Sequence, residues 1–190
     1  MNEFSITILG SSSAVPTSTR FPSSQIVSHH YKLFLVDCGE GTQIQLRKNK
    51  IHFSKIDHIF ISHLHGDHFF GLIGLISSFN LLGRKTDLHL YAPQEIKQIL
   101  EIQLMVSNTQ LHYQLYYHCL KFDSKNLLFE NKKLEIFSFP LNHSIPTCGF
   151  LFKEKPNPRK IIKEILSKYN IPDSAFEGIK NGKDFITEQG

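Results

Sequence analysis

The segment His63-Leu64-His65-Gly66-Asp67-His68 constrains this chain more than any other. Three imidazoles and a carboxylate fall within six residues. They lie directly after the strand-like run His58-Ile59-Phe60-Ile61-Ser62 and directly before the apolar helical run Phe69-Phe70-Gly71-Leu72-Ile73-Gly74-Leu75-Ile76. Residues two apart in extended backbone share a face, so His63 and His65 are able to reach one metal ion together. Gly66 permits a sharp turn, after which Asp67 and His68 face back toward that pair and can bind a second ion. Imidazole nitrogen combined with carboxylate oxygen suits zinc best among common divalent metals. The plain alternative is a solvated loop that happens to hold histidines. It is disfavoured because the four groups cluster where a strand gives way to a helix, the place where α/β proteins build their sites.

A core large enough to support such a site is available, since 190 residues fit one domain. The formal net charge of +4 permits a polyanionic substrate without requiring one. Three widely separated cysteines, Cys38, Cys119 and Cys148, argue against a disulfide framework and for a reducing compartment. The N-terminus enters a strand-like run without a signal-peptide pattern. The longest apolar stretch, from Phe69 to Leu82, is broken by Ser77, Ser78 and Asn80 and is too short to span a bilayer. A cytoplasmic protein with no membrane segment is expected.

Periodicity predicts strands at Phe4–Leu9, Gln25–His29 and Tyr31–Val36, the last ending at Asp37-Cys38-Gly39-Glu40-Gly41, and then a helix over Thr42–Lys48. Beyond the histidine motif, Gly83 is a plausible helix stop, Leu88–Ala92 a strand, and Gln94–Met105 a helix behind Pro93. Strand-like runs follow at Tyr113–Leu120, Asn126–Phe129, Lys133–Phe139 and Phe150–Phe152. After the turn-rich Lys155-Pro156-Asn157-Pro158, a helix is expected with Ile161, Ile162, Ile165, Leu166 and Tyr169 on one face. Six basic side chains stand against two acids between Lys153 and Lys168, which gives a basic, amphipathic element or an ordinary solvated helix face. Mixed sheets covered by helices follow from this order; parallel and antiparallel pairings do not.

A pair of divalent ions supports hydrolysis by polarising the electrophile and stabilising the attacking and leaving oxygens, and Asp67 can both bind metal and accept a proton. His29, His30, His52, His58, His89, His112 and His118 read as ordinary core or surface residues. His143 stands apart, because it follows a strand and precedes the loop Ser144-Ile145-Pro146-Thr147-Cys148-Gly149.

The motif resembles the His-x-His-x-Asp-His signature of the metallo-β-lactamase superfamily. The resemblance narrows to its ribonuclease Z family, endonucleases that remove the 3′ trailer from precursor tRNA. The segments that carry it are Leu9 to Thr17, Phe34 to Gln43, Ile59 to Leu72 and Pro140 to Phe150. It implies an α/β fold, a metallo-β-lactamase-like αββα sandwich without its C-terminal half, with residues 1–149 as the N-terminal part and 150–190 as an exosite-arm-like segment. It also implies that His63, His65 and His143 hold one zinc, and Asp67 and His68 the second, with two Zn2+ per complete site. Asp67 would be the catalytic proton acceptor and Asp37 would orient a ligand imidazole. Arg159, Lys160 and Lys163 would contact RNA phosphates, with precursor tRNA as substrate and a homodimer as the assembly. The loop Pro16-Thr17-Ser18-Thr19-Arg20-Phe21 departs from the family's Pro-x-Lys-x-Arg-Asn at Ser18 and Phe21. The family's bridging aspartate and final histidine are not found, so a fragment of the whole enzyme is expected. The competing readings are a hydrolase of small phosphodiesters or thioesters in the same superfamily and a non-catalytic metal- or RNA-binding fragment.

Overall fold

The architecture is mixed α/β, as the alternation of periods requires. The computed structural model describes residues 4–157 and 159–186. Pro158 of the expected turn and residues 187–190, the last part of the expected arm, lie outside the described residues.

Strands β1 (Phe4–Gly10), β2 (Ser24–His29), β3 (Lys32–Cys38), β4 (Ile56–Phe60), β5 (Leu88–Ala92) and β6 (Leu115–Cys119) form one sheet in sequence order. The first two junctions are antiparallel and the next three parallel. Helices α1 (Thr42–Lys48), α2 (Gly66–Phe69), α3 (Leu72–Leu81) and α4 (Glu95–Val106) supply the connections across the parallel part. Strands β7 (Asn126–Glu130), β8 (Leu134–Leu141) and β9 (Thr147–Glu154) form a second, three-stranded sheet. Contacts divide the chain into two units. The first is Met1–Leu128 with Ile136–Leu151, and the second is Phe129–Glu135 with Phe152–Gly190.

Both faces of the central strands are covered, so apolar residues fall on both, as in Leu33-Phe34-Leu35-Val36 of β3. On one face Leu35, Ile59, Ile61 and Leu90 pack with Leu46 of α1, Leu75 and Phe79 of α3, and Leu100 of α4 in a single buried cluster. The opposite face carries a ladder of rings set by strand register. Phe34, His58, His89 and Tyr116 are successive cross-strand partners, as are Phe60, Tyr91 and His118. His58 and His89 stack at 4.9 Å, and Phe60 and Tyr91 at 4.6 Å. His89 Nδ1 and His118 Nε2 are 3.0 Å apart. Three of the histidines read as ordinary are therefore part of a core stack.

That stack makes the fold acid-sensitive. Burial, reinforced by the neighbouring cations and imidazoles, pushes the His58 pKa down from 6.5 to about 3. Burial and then His89 lower His118 in the same sense. The unfolded chain binds these protons first, so the neutral stack's stability is fully present above pH 6.5 and is lost as pH falls toward the folded-state value. Between pH 7 and pH 5 His58 alone is expected to cost about 2 kcal/mol. Urea unfolding at the two pH values measures it, and His58→Phe should flatten the dependence. An equally steep loss in that variant would place the acid sensitivity elsewhere.

Two expectations need correction. The helix expected from Phe69 onward is two helices. Gly71 N–H leaves the helical ladder to donate to Cys38 O at the end of β3, 2.9 Å away, so α2 ends and α3 restarts. The amphipathic helix expected from Ile161 is only α5 (Lys163–Lys168), with Ile162 in extended conformation ahead of it. Arg159 N–H donates to Lys180 O at the end of α6 (Phe176–Lys180), which holds the chain before α5 out of the helix.

Candidate metal centre

Strand β4 continues one residue past its formal end, because Ile61 N–H donates to Tyr91 O at 2.8 Å. The chain stays extended through His65, at φ −74° and ψ 141°, so His63 and His65 project to the same side as their spacing requires. Gly66 then opens α2 without a positive φ. A Cβ there would meet the ring of Phe70, an exposed side chain that would have to swing aside. Asp67 and His68 occupy the first turn of α2.

His143 arrives from the loop between β8 and β9. Cys148 N–H donates to Ser62 O at 3.2 Å, which draws the start of β9 against the residue preceding His63. His65 Nδ1 lies 3.1 Å from His63 Nε2 and 3.2 Å from His143 Nε2. The three rings stand nearly perpendicular to one another, with centroids 4.9–5.0 Å apart. One donor atom from each histidine lies within 4.8 Å of the others. Neutral imidazole lone pairs that converge so closely repel one another unless a cation or proton lies among them. The donor set, two Nε2 atoms and one Nδ1, fits a divalent metal that accepts nitrogen ligands.

Asp67 and His68 form an adjoining pair, with His68 Nε2 3.3 Å from Asp67 Oδ2. His68 Nδ1 is fixed by Asp37 Oδ2 at 2.7 Å. Asp37 sits at the end of β3 with φ 55°, a left-handed conformation that aspartate tolerates better than most residues. From there its carboxylate also accepts Ser62 N–H at 2.9 Å and the Ser23 hydroxyl at 3.1 Å. Burial works to lower the His68 pKa, but its hydrogen bond to Asp37 and the charges of Asp37 and Asp67 outweigh it and raise it. Burial and the nearby His68 push His63 down to about 4, so its imidazole is neutral and free to donate a lone pair at neutral pH.

His63, His65, Asp67, His68 and His143 line a cleft of about 730 Å³, bounded also by Ser13 and Ala14 of the loop after β1 and by Phe70 and Leu141. Phe21, one of the two departures in that loop, packs against Gly41 and under Lys48, whose ammonium lies 5.5 Å from its ring centroid. Arg159, Lys160 and Lys163 are exposed residues of the second unit. Sequence reasoning passed over Ser62, whose hydroxyl lies 2.9 Å from His63 Nδ1. Its only sequence signal is its place immediately before the first histidine.

Among known proteins, the family described as Anti-Pycsar protein Apyc1 matches residues 4–157. A protein of Bacteroides thetaiotaomicron named Ribonuclease Z is 44% identical over all 190 residues, and the chain spans 60% of that relative's length. The structure resembles human tRNase Z, short form, with a TM-score of 0.73 at 27% identity, over 97% of this chain and 85% of that one. It also resembles the metallo-β-lactamase fold protein YhfI from Bacillus subtilis, with a TM-score of 0.60 at 19% identity, over 78% of this chain and 56% of that one. The fold is thus of the metallo-β-lactamase type. Among the described residues no helix is long and apolar enough to cross a membrane.

Proposed function

The chain belongs to the family described as Anti-Pycsar protein Apyc1, and from its similarity to Ribonuclease Z over all 190 of its own residues and from its metal centre we propose that it is part of a zinc-dependent endoribonuclease that removes the 3′ trailer from precursor tRNA. The observation that carries this reading is the convergence of His63 Nε2, His65 Nδ1 and His143 Nε2 beside the Asp67–His68 pair. The three histidines would hold one zinc, and Asp67 with His68 would contribute to a second. Zinc bound by these residues would supply Lewis-acid polarisation of a phosphoryl oxygen and a water acidic enough to act as nucleophile near neutral pH. Asp37 keeps the His68 ring turned so that Nε2 faces the cleft. Asp67 accepts the proton released by the attacking water. Arg159, Lys160 and Lys163 of the second unit bind phosphates, which gives salt-dependent affinity with little sequence reading. The same reading has the whole enzyme act in the cytoplasm as a homodimer.

A second reading is that this centre hydrolyses a small phosphodiester or thioester, and the family description, an anti-Pycsar protein, leaves room for a role other than tRNA processing. Cleavage of a precursor tRNA and of a small chromogenic phosphodiester by the complete protein separates the two. Trailer removal that weakens on replacing Lys160 and Lys163, with small-substrate turnover unchanged, supports the first. The metal assignment has its own check. Replacing His63 and His65 together with alanine is expected to abolish zinc uptake, measured by metal analysis of the purified protein; unchanged zinc content would sink it.

A further inference from the structure

Ser62 has one hydroxyl proton and more than one neighbour able to use it. Its Oγ lies 2.9 Å from His63 Nδ1, 3.2 Å from Asp37 Oδ2 and 3.4 Å from His68 Nδ1, whose proton is directed at the nearer Asp37 Oδ2, 2.7 Å away. Asp37 Oδ2 is a carboxylate oxygen and only accepts; it already receives His68 Nδ1–H at 2.7 Å and the Ser23 hydroxyl at 3.1 Å. Were the Ser62 proton given to His63 Nδ1, two unprotonated oxygens would face each other at 3.2 Å. The arrangement in which no acceptor faces Asp37 Oδ2 runs one way. His63 Nδ1–H donates to Ser62 Oγ, and Ser62 Oγ–H donates to Asp37 Oδ2. His63 Nε2 is then the unprotonated nitrogen, and it is the atom that meets His65 Nδ1 in the three-histidine cluster.

We propose that Ser62 is a positioning residue that locks His63 in the Nδ1–H tautomer through Asp37 and thereby aims the Nε2 lone pair at the metal. One carboxylate then orients two ligand imidazoles, His68 directly and His63 through the serine hydroxyl. This fits the general pattern in which a metal-binding imidazole donates its other N–H to an acceptor that fixes its ring. The inference rests on the proposed metal-binding reading for its consequence, though not for the tautomer itself.

The two are tested separately. In metal-free protein at neutral pH, long-range nitrogen–proton correlation of the histidine rings should report His63 protonated at Nδ1. Ser62→Ala should leave His63 as a mixture of tautomers, and Ser62→Thr, which keeps the hydroxyl, should restore the Nδ1–H form. Zinc affinity by chelator competition should fall about 10–100-fold in Ser62→Ala and stay within a few-fold of the original in Ser62→Thr. Ser62 N–H still reaches Asp37 Oδ1 in both variants, so unfolding midpoints should barely move. A His63 protonated at Nε2 in the original protein would overturn the proposal, as would a Ser62→Ala variant with unchanged tautomer and zinc affinity. A chain that takes up no zinc while His63 keeps the Nδ1–H tautomer would instead remove the metal-binding reading.

Discussion

In the complete protein, Asp67→Ala is expected to reduce phosphodiester hydrolysis by at least about 10²–10⁴-fold, the usual worth of a positioned proton acceptor. Two losses combine in this variant. Asp67 stands in the first turn of α2, its carboxylate 3.3 Å from His68 Nε2 and its side chain 12% exposed, so it faces the cleft without being cut off from water. On the proposed mechanism, removing it takes away the proton acceptor and one of the two donors that the Asp67–His68 pair offers. Asp67→Asn separates these roles, because an amide oxygen can still approach a cation but cannot take a proton. The expected order is a large fall in kcat for Asn with most metal retained, and a larger fall for Ala with metal lost from that position. Metal analysis alongside steady-state kinetics reads both. Activity of the alanine variant within a few-fold of the original would show that the proton goes to another group.

The elements that were legible in the sequence are those fixed locally. Helix α1 over Thr42–Lys48 and strand β5 over Leu88–Ala92 fall where periodicity and the flanking glycine, proline and aspartate residues set them. The juxtaposition of His63 and His65 likewise follows from the two-residue repeat of extended chain. What the sequence hid depends on partners far away in the chain. The break between α2 and α3 exists because one amide, Gly71 N–H, is taken by Cys38, and no local propensity announces it. Ser62 gains its role from Asp37, 25 residues earlier. The ring ladder through His58, His89 and His118 requires the parallel register of β4, β5 and β6, which single-strand patterns do not encode. His143 is intermediate. Its position after a strand was visible, but its approach to His65 is made 78 residues away in sequence.

Arg84 is the largest of these hidden contributions, and its removal should cost the most stability. Helix α3 closes with Gly83 at φ 78°, while Gly83 N–H and Arg84 N–H reach back to Asn80 O and Phe79 O, a left-handed cap that turns Arg84 inward. Its side chain is 4% exposed and lies between the rings of Phe79 and Tyr113. The guanidinium donates to Thr86 O at 2.8 Å, Ile56 O at 2.9 Å, Asp87 O at 2.6 Å and Asp57 Oδ1 at 2.8 Å. It thus ties the starts of β4 and β5 to the end of α3. Arg84→Met keeps bulk in the slot but strands three carbonyls and a carboxylate. Breaking a buried pair from one side typically costs about 3–5 kcal/mol. Asp57 is 38% exposed and can rehydrate, so the lower end, about 3 kcal/mol, is expected. For a chain of this size that lowers Tm by roughly 6–12 °C. Arg84→Lys keeps the charge but not the planar fork and should fall between the two. The anchor sits at the N-terminal ends of β4 and β5, whereas the histidines follow the C-terminal end of β4. Zinc affinity of the folded Arg84→Met protein should therefore change little while its urea midpoint falls. A variant that lost stability and zinc affinity in parallel would mean that the two ends of β4 are not independent and that the anchor also holds the site in place.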